Sequence, residues 1–246
     1  MLKLIRNILA ATIGAILLTG CDPTPDDGDA SHYLAMREVA LSYGAQSGLH
    51  WKSTQVLHYL DKHSLELDKV YNFNALLMKH NVLPPVVAHY GKSYTVEDNS
   101  TVRLSDHEII MVKPARFVSS APMWRDYIYI SFVEPEEPPK GLLPQTEEEL
   151  LIWRTAAEEG WKIGVEQSSI IFQDALSRLN KDFEGMVLYQ MLHLQNMISA
   201  PYTETTNLGV TGNNQGIRLN DKIIKITRPS VLNTQTNQWQ PVLLSE

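Results

Sequence analysis

The chain holds a single cysteine, Cys21, in 246 residues. With no second thiol there is no internal disulfide, so stability must come from packing. Positive charge is also scarce. Lys and Arg number 21 against 28 Asp and Glu, a net charge of −7. Such a balance gives no electrostatic footprint for a phosphate backbone, and direct nucleic-acid binding is not expected. Long apolar runs are missing as well. Ile8 to Leu18 is about eleven residues, and a bilayer span needs about 20.

The usual signatures of catalysis are missing too. Neither Gly-x-Ser-x-Gly nor Ser-x-x-Lys occurs. Gly91-Lys92-Ser93 resembles the end of a phosphate-binding loop, but Val86 stands where the earlier glycine must be. His107-Glu108 opens like a zinc-protease helix, yet Met111 replaces the second histidine. The other histidines are scattered, and His58 and His63 fall on different helix faces. Glu158 and Glu159 are adjacent, so they point apart and read as solvated charges rather than as a working pair. Gly209, Gly212 and Gly216 lack the setting of a dinucleotide loop and read as a turn. No enzyme, cofactor or metal site is expected.

What the chain does have begins at its N-terminus. Lys3 and Arg6 precede the apolar stretch, which ends in Leu18-Thr19-Gly20-Cys21. This resembles the lipobox of bacterial lipoproteins, in which the cysteine is acylated and becomes the mature N-terminus. Residues 1–20 are therefore expected to be a signal peptide and Cys21 the lipidation site. Loss of the two basic residues leaves a mature charge of −9. Residues 21–30, with Pro23, Pro25 and several aspartates, read as a disordered tether.

The remaining residues, 31–246, read as a single α+β domain. Residues 31–83 are helical in pattern: Ser31–Gln46 stopping near Gly48, Ser53–Lys62, and a third helix from Ser64 that buries Val70, Phe73, Leu76 and Leu77. Residues 86–133 form a small mixed or antiparallel β part, with strands at 94–97, 102–104 and 108–112. Tyr127–Phe132 alternates strictly, Ile128, Ile130 and Phe132 on the core side and Tyr127, Tyr129 and Ser131 on the other. That tyrosine side is either a partner surface or lies under the long helix. Residues 134–144, rich in Pro and Glu, form an extended connector.

A long amphipathic helix follows from Gln145 to Leu179. Thr146 and Glu149 form a capping box, and Glu158/Lys162 and Asp174/Arg178 are i,i+4 pairs. Its inward face is expected to carry Leu150, Trp153, Ala157, Trp161, Gly164, Ser168, Ile171, Ala175 and Leu179. A second helix runs from Asp182 to about Ile198. Residues 206–246 supply a C-terminal hairpin, with 208–216 a flexible turn and 217–219 pairing with 222–227 about Asn220-Asp221.

Gly141-Leu142-Leu143-Pro144, Trp153, Gly160-Trp161-Lys162-Ile163-Gly164, Gln167, Arg178-Leu179, Asp182 and Gly185-Met186 fall in an ordered series. Leu208-Gly209-Val210-Thr211-Gly212 and Ile226-Thr227 continue it, over residues 112–228. This series resembles the DotC family of lipoproteins of type IVB secretion (Dot/Icm) and plasmid conjugation systems. The resemblance implies a non-enzymatic lipoprotein of the outer membrane, facing the periplasm. It would join a DotD-like lipoprotein and a DotH-like subunit in a ring-forming core complex. Asp22 departs from that pattern, because it resembles the signal retaining lipoproteins in the inner membrane of some enteric bacteria. A periplasmic enzyme cutting cell-wall glycan and a monomeric solute-binding lipoprotein are the alternatives.

Overall fold

The computed structural model describes residues 27–240. The expected signal peptide, Cys21, most of the expected 21–30 tether and the last six residues lie outside that range. Within it the fold is α+β, two long helices carrying small two-stranded sheets.

Helix α1 spans Asp27–Lys62, so Asp27–Ala30 of the expected tether are helical and the two expected helices are one. Gly48 does not stop it. A Cβ there would lie 2.4 Å from the Trp161 carbonyl oxygen, so this glycine admits a second helix instead of ending the first. A short helix α2 (Ser64–Val70) and a 3-10 turn at Phe73–Leu76 follow. Phe73 is buried as expected, but Val70 faces solvent.

The β part contains β1 (Val82–Leu83), β2 (Val86–Tyr90), β3 (Ser93–Val96), β4 (Val102–Ser105), β5 (Glu108–Lys113) and β6 (Arg116–Phe117). All pairings are antiparallel and nested: β1 with β6, β2 with β5, β3 with β4. Residues 86–113 thus form one ribbon, turning at 97–101. The expected strand at Tyr127–Phe132 is instead a one-turn helix, α3 (Arg125–Ile128), running into unpaired extended chain. Its alternation still has the expected consequence on one side. Ile128, Ile130 and Phe132 meet Val56 of α1 and Ile171 and Phe172 of the long helix. The period of two belongs to extended backbone, whether or not a neighbouring strand is present.

Helix α4 spans Glu147–Leu194, about 70 Å. The break expected between Leu179 and Asp182 does not occur. Asn180 accepts from the Tyr71 hydroxyl at 2.6 Å and Asp182 from Lys113. Residues that resemble a helix start are thus satisfied by tertiary partners within a continuous helix. The capping box is present, with Glu149 Oε2 accepting from the backbone of Thr146 and Gln145. Both expected surface ion pairs also form, Lys162–Glu158 at 2.9 Å and Arg178–Asp174 at 3.4 Å.

The buried stripe of α4 starts one residue away from the expected one, at Ala156 and Gly160, and coincides with it from Gly164 and Ser168 on. Ala156, Gly160, Gly164 and Ser168 are buried, whereas Leu150 and Trp161 are exposed. The reason is the partner. Helices α1 and α4 run parallel, Gly44 against Ala157 and Gly48 against Trp161, and their backbones touch. Small side chains, not large apolar ones, permit that approach. A parallel pair needs a long return path. The proline-rich segment supplies it, running back along α1 with the Phe132 carbonyl accepting from His50 Nδ1 at 2.8 Å.

The second half of α4 carries the core. Ala175, Leu179 and Met186 pack with Leu60, Phe73, Leu83, Val86, Trp124 and Ile128. Tyr189, Leu192 and Ile198 pack with Val87 of the ribbon base.

The C-terminal hairpin is longer than expected. β7 (Tyr202–Asn213) pairs with β8 (Gly216–Arg228), and the turn falls at Asn214-Gln215. The expected turn at Asn220-Asp221 is instead an irregularity within β8. Asn220 has φ +57°, and Asp221 faces Gly209 at φ +72° across a register shift. Glycine and asparagine tolerate this left-handed backbone, so the signals that suggested turns mark a bulge.

Candidate interaction surfaces

Asp182 is the most buried carboxylate of the core and is held from two sides. Lys113 Nζ of β5 lies 2.6 Å from Oδ2, and the Tyr127 hydroxyl donates to the same oxygen at 3.0 Å. Tyr127 also stacks on Phe73 at 5.8 Å. Burial, and then the Asp182 charge, pushes the Tyr127 hydroxyl well above the ordinary tyrosine range. Tyr127 therefore stays protonated and donating. It lies against the long helix, the second of the two positions open to it, while Tyr129 is exposed beside Asp61. The node ties ribbon, α3 and α4 together, and three aligned groups with complementary charge explain it as a structural lock.

The structure also joins His89 and His107 across the ribbon, ring nitrogens 3.1 Å apart. Sequence spacing gives no hint of this pair, because β2–β5 register creates it. Among the described residues no group of three or more His, Cys, Asp or Glu side chains is placed to hold a metal ion. Glu158 and Glu159 each meet a surface cation, Lys162 and Arg37. No helix among the described residues is long and apolar enough to cross a membrane.

Exposed apolar faces occur on both ribbons. On the first ribbon Tyr94 pairs with Leu104 and Val96 with Val102, so all four share one face, and all four are exposed. On the second, Val210 pairs with Leu219, and Ile217 lies two residues away on the same strand face. These three are exposed too. The base of this arm is fixed by the chain after it, with Val231 accepting from Ser199 and Asn233 donating to Met197. An isolated two-stranded hairpin is marginal in water, and contiguous exposed apolar area marks a contact site. A third apolar feature is an open groove of about 450 Å3 between the starts of α1 and α4. Tyr33, Leu34, Leu151 and Ile152 line it.

Alternation in the sequence locates the Tyr94 face but not its exposure. Val210 escapes the sequence reading, because its glycine-rich surroundings read as a turn.

The family described as type IV secretory system, conjugal DNA-protein transfer, matches residues 31–241. The protein belongs to that family, and it takes part in type IV secretion and conjugal transfer. A comparison with curated proteins finds no match.

Proposed function

We propose that the protein is a structural subunit of the core complex of its secretion system: a DotC-like lipoprotein, anchored through Cys21 and bound to neighbours by its ribbons. The observation that carries this reading is the pair of antiparallel ribbons with uncovered apolar faces, on a body made of locks and close-packed helices. The resemblance adds DotD-like and DotH-like partners, and the outer membrane as the site of anchoring. Function is tethering. Several acyl chains hold a protein on a bilayer essentially permanently, and confinement raises the effective concentration of weakly interacting subunits.

Cys21→Ser tests the anchor. The expected variant keeps its circular dichroism spectrum, leaves the membrane fraction and abolishes conjugal transfer. Normal transfer by that variant overturns the tethering account. Density-gradient separation of the two membranes decides the effect of Asp22, and recovery of a tagged chain from detergent-solubilised envelope identifies its neighbours.

A further inference from the structure

We propose that the tip of the β7–β8 arm of one copy docks into the α1/α4 groove of the next copy, joining subunits head to tail. This rests on the assembly reading above and assigns one of its contacts. The two surfaces are both apolar and carry opposite charge. Val210, Ile217 and Leu219 at the tip are 67%, 72% and 73% exposed, an apolar cluster aimed into water. Leu34 and Leu151 at the groove are 68% and 67% exposed, flanking open space large enough for several aliphatic side chains.

The arm carries Arg218, Lys222, Lys225 and Arg228 against Glu204 and Asp221, so it is basic within an acidic chain. The groove's own cation, Arg37, is paired with Glu159, and its α4 end carries exposed Glu147 and Glu148 in the first turn of the helix. A basic apolar arm is drawn to that acidic end.

Distance decides between self-contact and contact with another copy. The arm leaves the C-terminal end of α4, and the groove lies at the N-terminal end. Leu151 and Leu194 are about 65 Å apart along the helix. A 12-residue strand is about 40 Å long, so the tip cannot reach its own groove. The matching surfaces can meet only between copies. Because two different patches are involved, the contact is heterologous and repeats into a ring or filament.

Cysteine cross-linking in the full-length chain tests this, with Cys21→Ser removing the native thiol. Leu219→Cys and Leu151→Cys chains, purified separately and mixed under mild oxidation, are expected to give a mixed dimer. A chain carrying both substitutions is expected to give a ladder. Arg218→Glu should reduce the mixed product about 10-fold, the equivalent of about 1.4 kcal/mol, and Glu148→Lys on the other chain should restore it. Circular dichroism confirms that each variant is folded. Leu219→Cys dimerising only with itself, cross-linking only to a different envelope protein, binding of the arm to anionic vesicles alone, or no mixed product overturns the proposal. If transfer still depends on Cys21 while the mixed product is absent, this contact is wrong and the assembly reading stands.

Discussion

Gly160 of α4 and Leu41 of α1 meet backbone to backbone. A Cβ on Gly160 would lie 2.0 Å from the Leu41 carbonyl oxygen, and Gly164 repeats the relationship one turn on with Ala45. No rotamer relieves such an overlap, so the helices must separate. Gly160→Ala is expected to cost about 3 kcal/mol, the upper end for overpacking, seen as a lower denaturant midpoint. Gly91→Ala, where nothing lies within 4 Å of the added atom, should leave the midpoint unchanged.

The lock at Asp182 makes an asymmetric prediction. Asp182→Asn weakens the anchor of two donors and is expected to cost about 1–3 kcal/mol. Tyr127→Phe removes one donor and should cost about 1 kcal/mol. Lys113→Met should cost at least as much as Asp182→Asn, because it leaves the buried Asp182 carboxylate without its counter-charge, whereas in the Asn variant the half-exposed lysine can turn to water. A double-mutant cycle between residues 127 and 182 should show coupling, since the two are in contact.

Acid stability has an assignable part. The Trp124 indole, donating at 2.6 Å, and then Arg125 hold the Asp68 carboxyl below the usual carboxylate range. Backbone donation from Gln145 and then Thr146, with help from His32, does the same for Glu149. With folded values depressed, the unfolded chain binds more protons in acid. The contribution is therefore complete above the ordinary carboxylate range and is lost as pH falls through the depressed values. Trp124→Phe is expected to raise the Asp68 titration midpoint in carboxyl-detected NMR and leave that of Glu149 in place. Thr146→Ala should remove about 1 kcal/mol of helix capping.

Gly209 tests the independence of the arm. Its left-handed backbone disfavours a side chain by about 1–2 kcal/mol. Gly209→Val should speed amide exchange along β7–β8 while the global unfolding midpoint stays unchanged, because the apolar core lies elsewhere. A lowered global midpoint would show that the arm shares the body's cooperative unit.

Features set by neighbours in the chain were legible in the sequence. The Thr146/Glu149 capping box, the i,i+4 pairs on α4, the strands near 94–97, 102–104 and 108–112 and the core side of Ile128, Ile130 and Phe132 each follow from local periodicity or local hydrogen bonding. The candidate site was legible only in part. The sequence put Tyr127 and Tyr129 on one face, and only packing separated a buried hydroxyl from an exposed ring.

Contacts between distant segments were decided by tertiary structure alone. Gly48 and Asp182 resemble a helix stop and a helix start, yet one receives a neighbouring backbone and the other a lysine from β5. The buried stripe of α4 follows small residues because α1 approaches closely, and no hydropathy pattern on α4 alone encodes that distance. Val210 belongs to an exposed arm instead of a loop because its strand finds a partner about ten residues on. Local order is written in each segment's own side chains, whereas burial depends on what another segment brings against it.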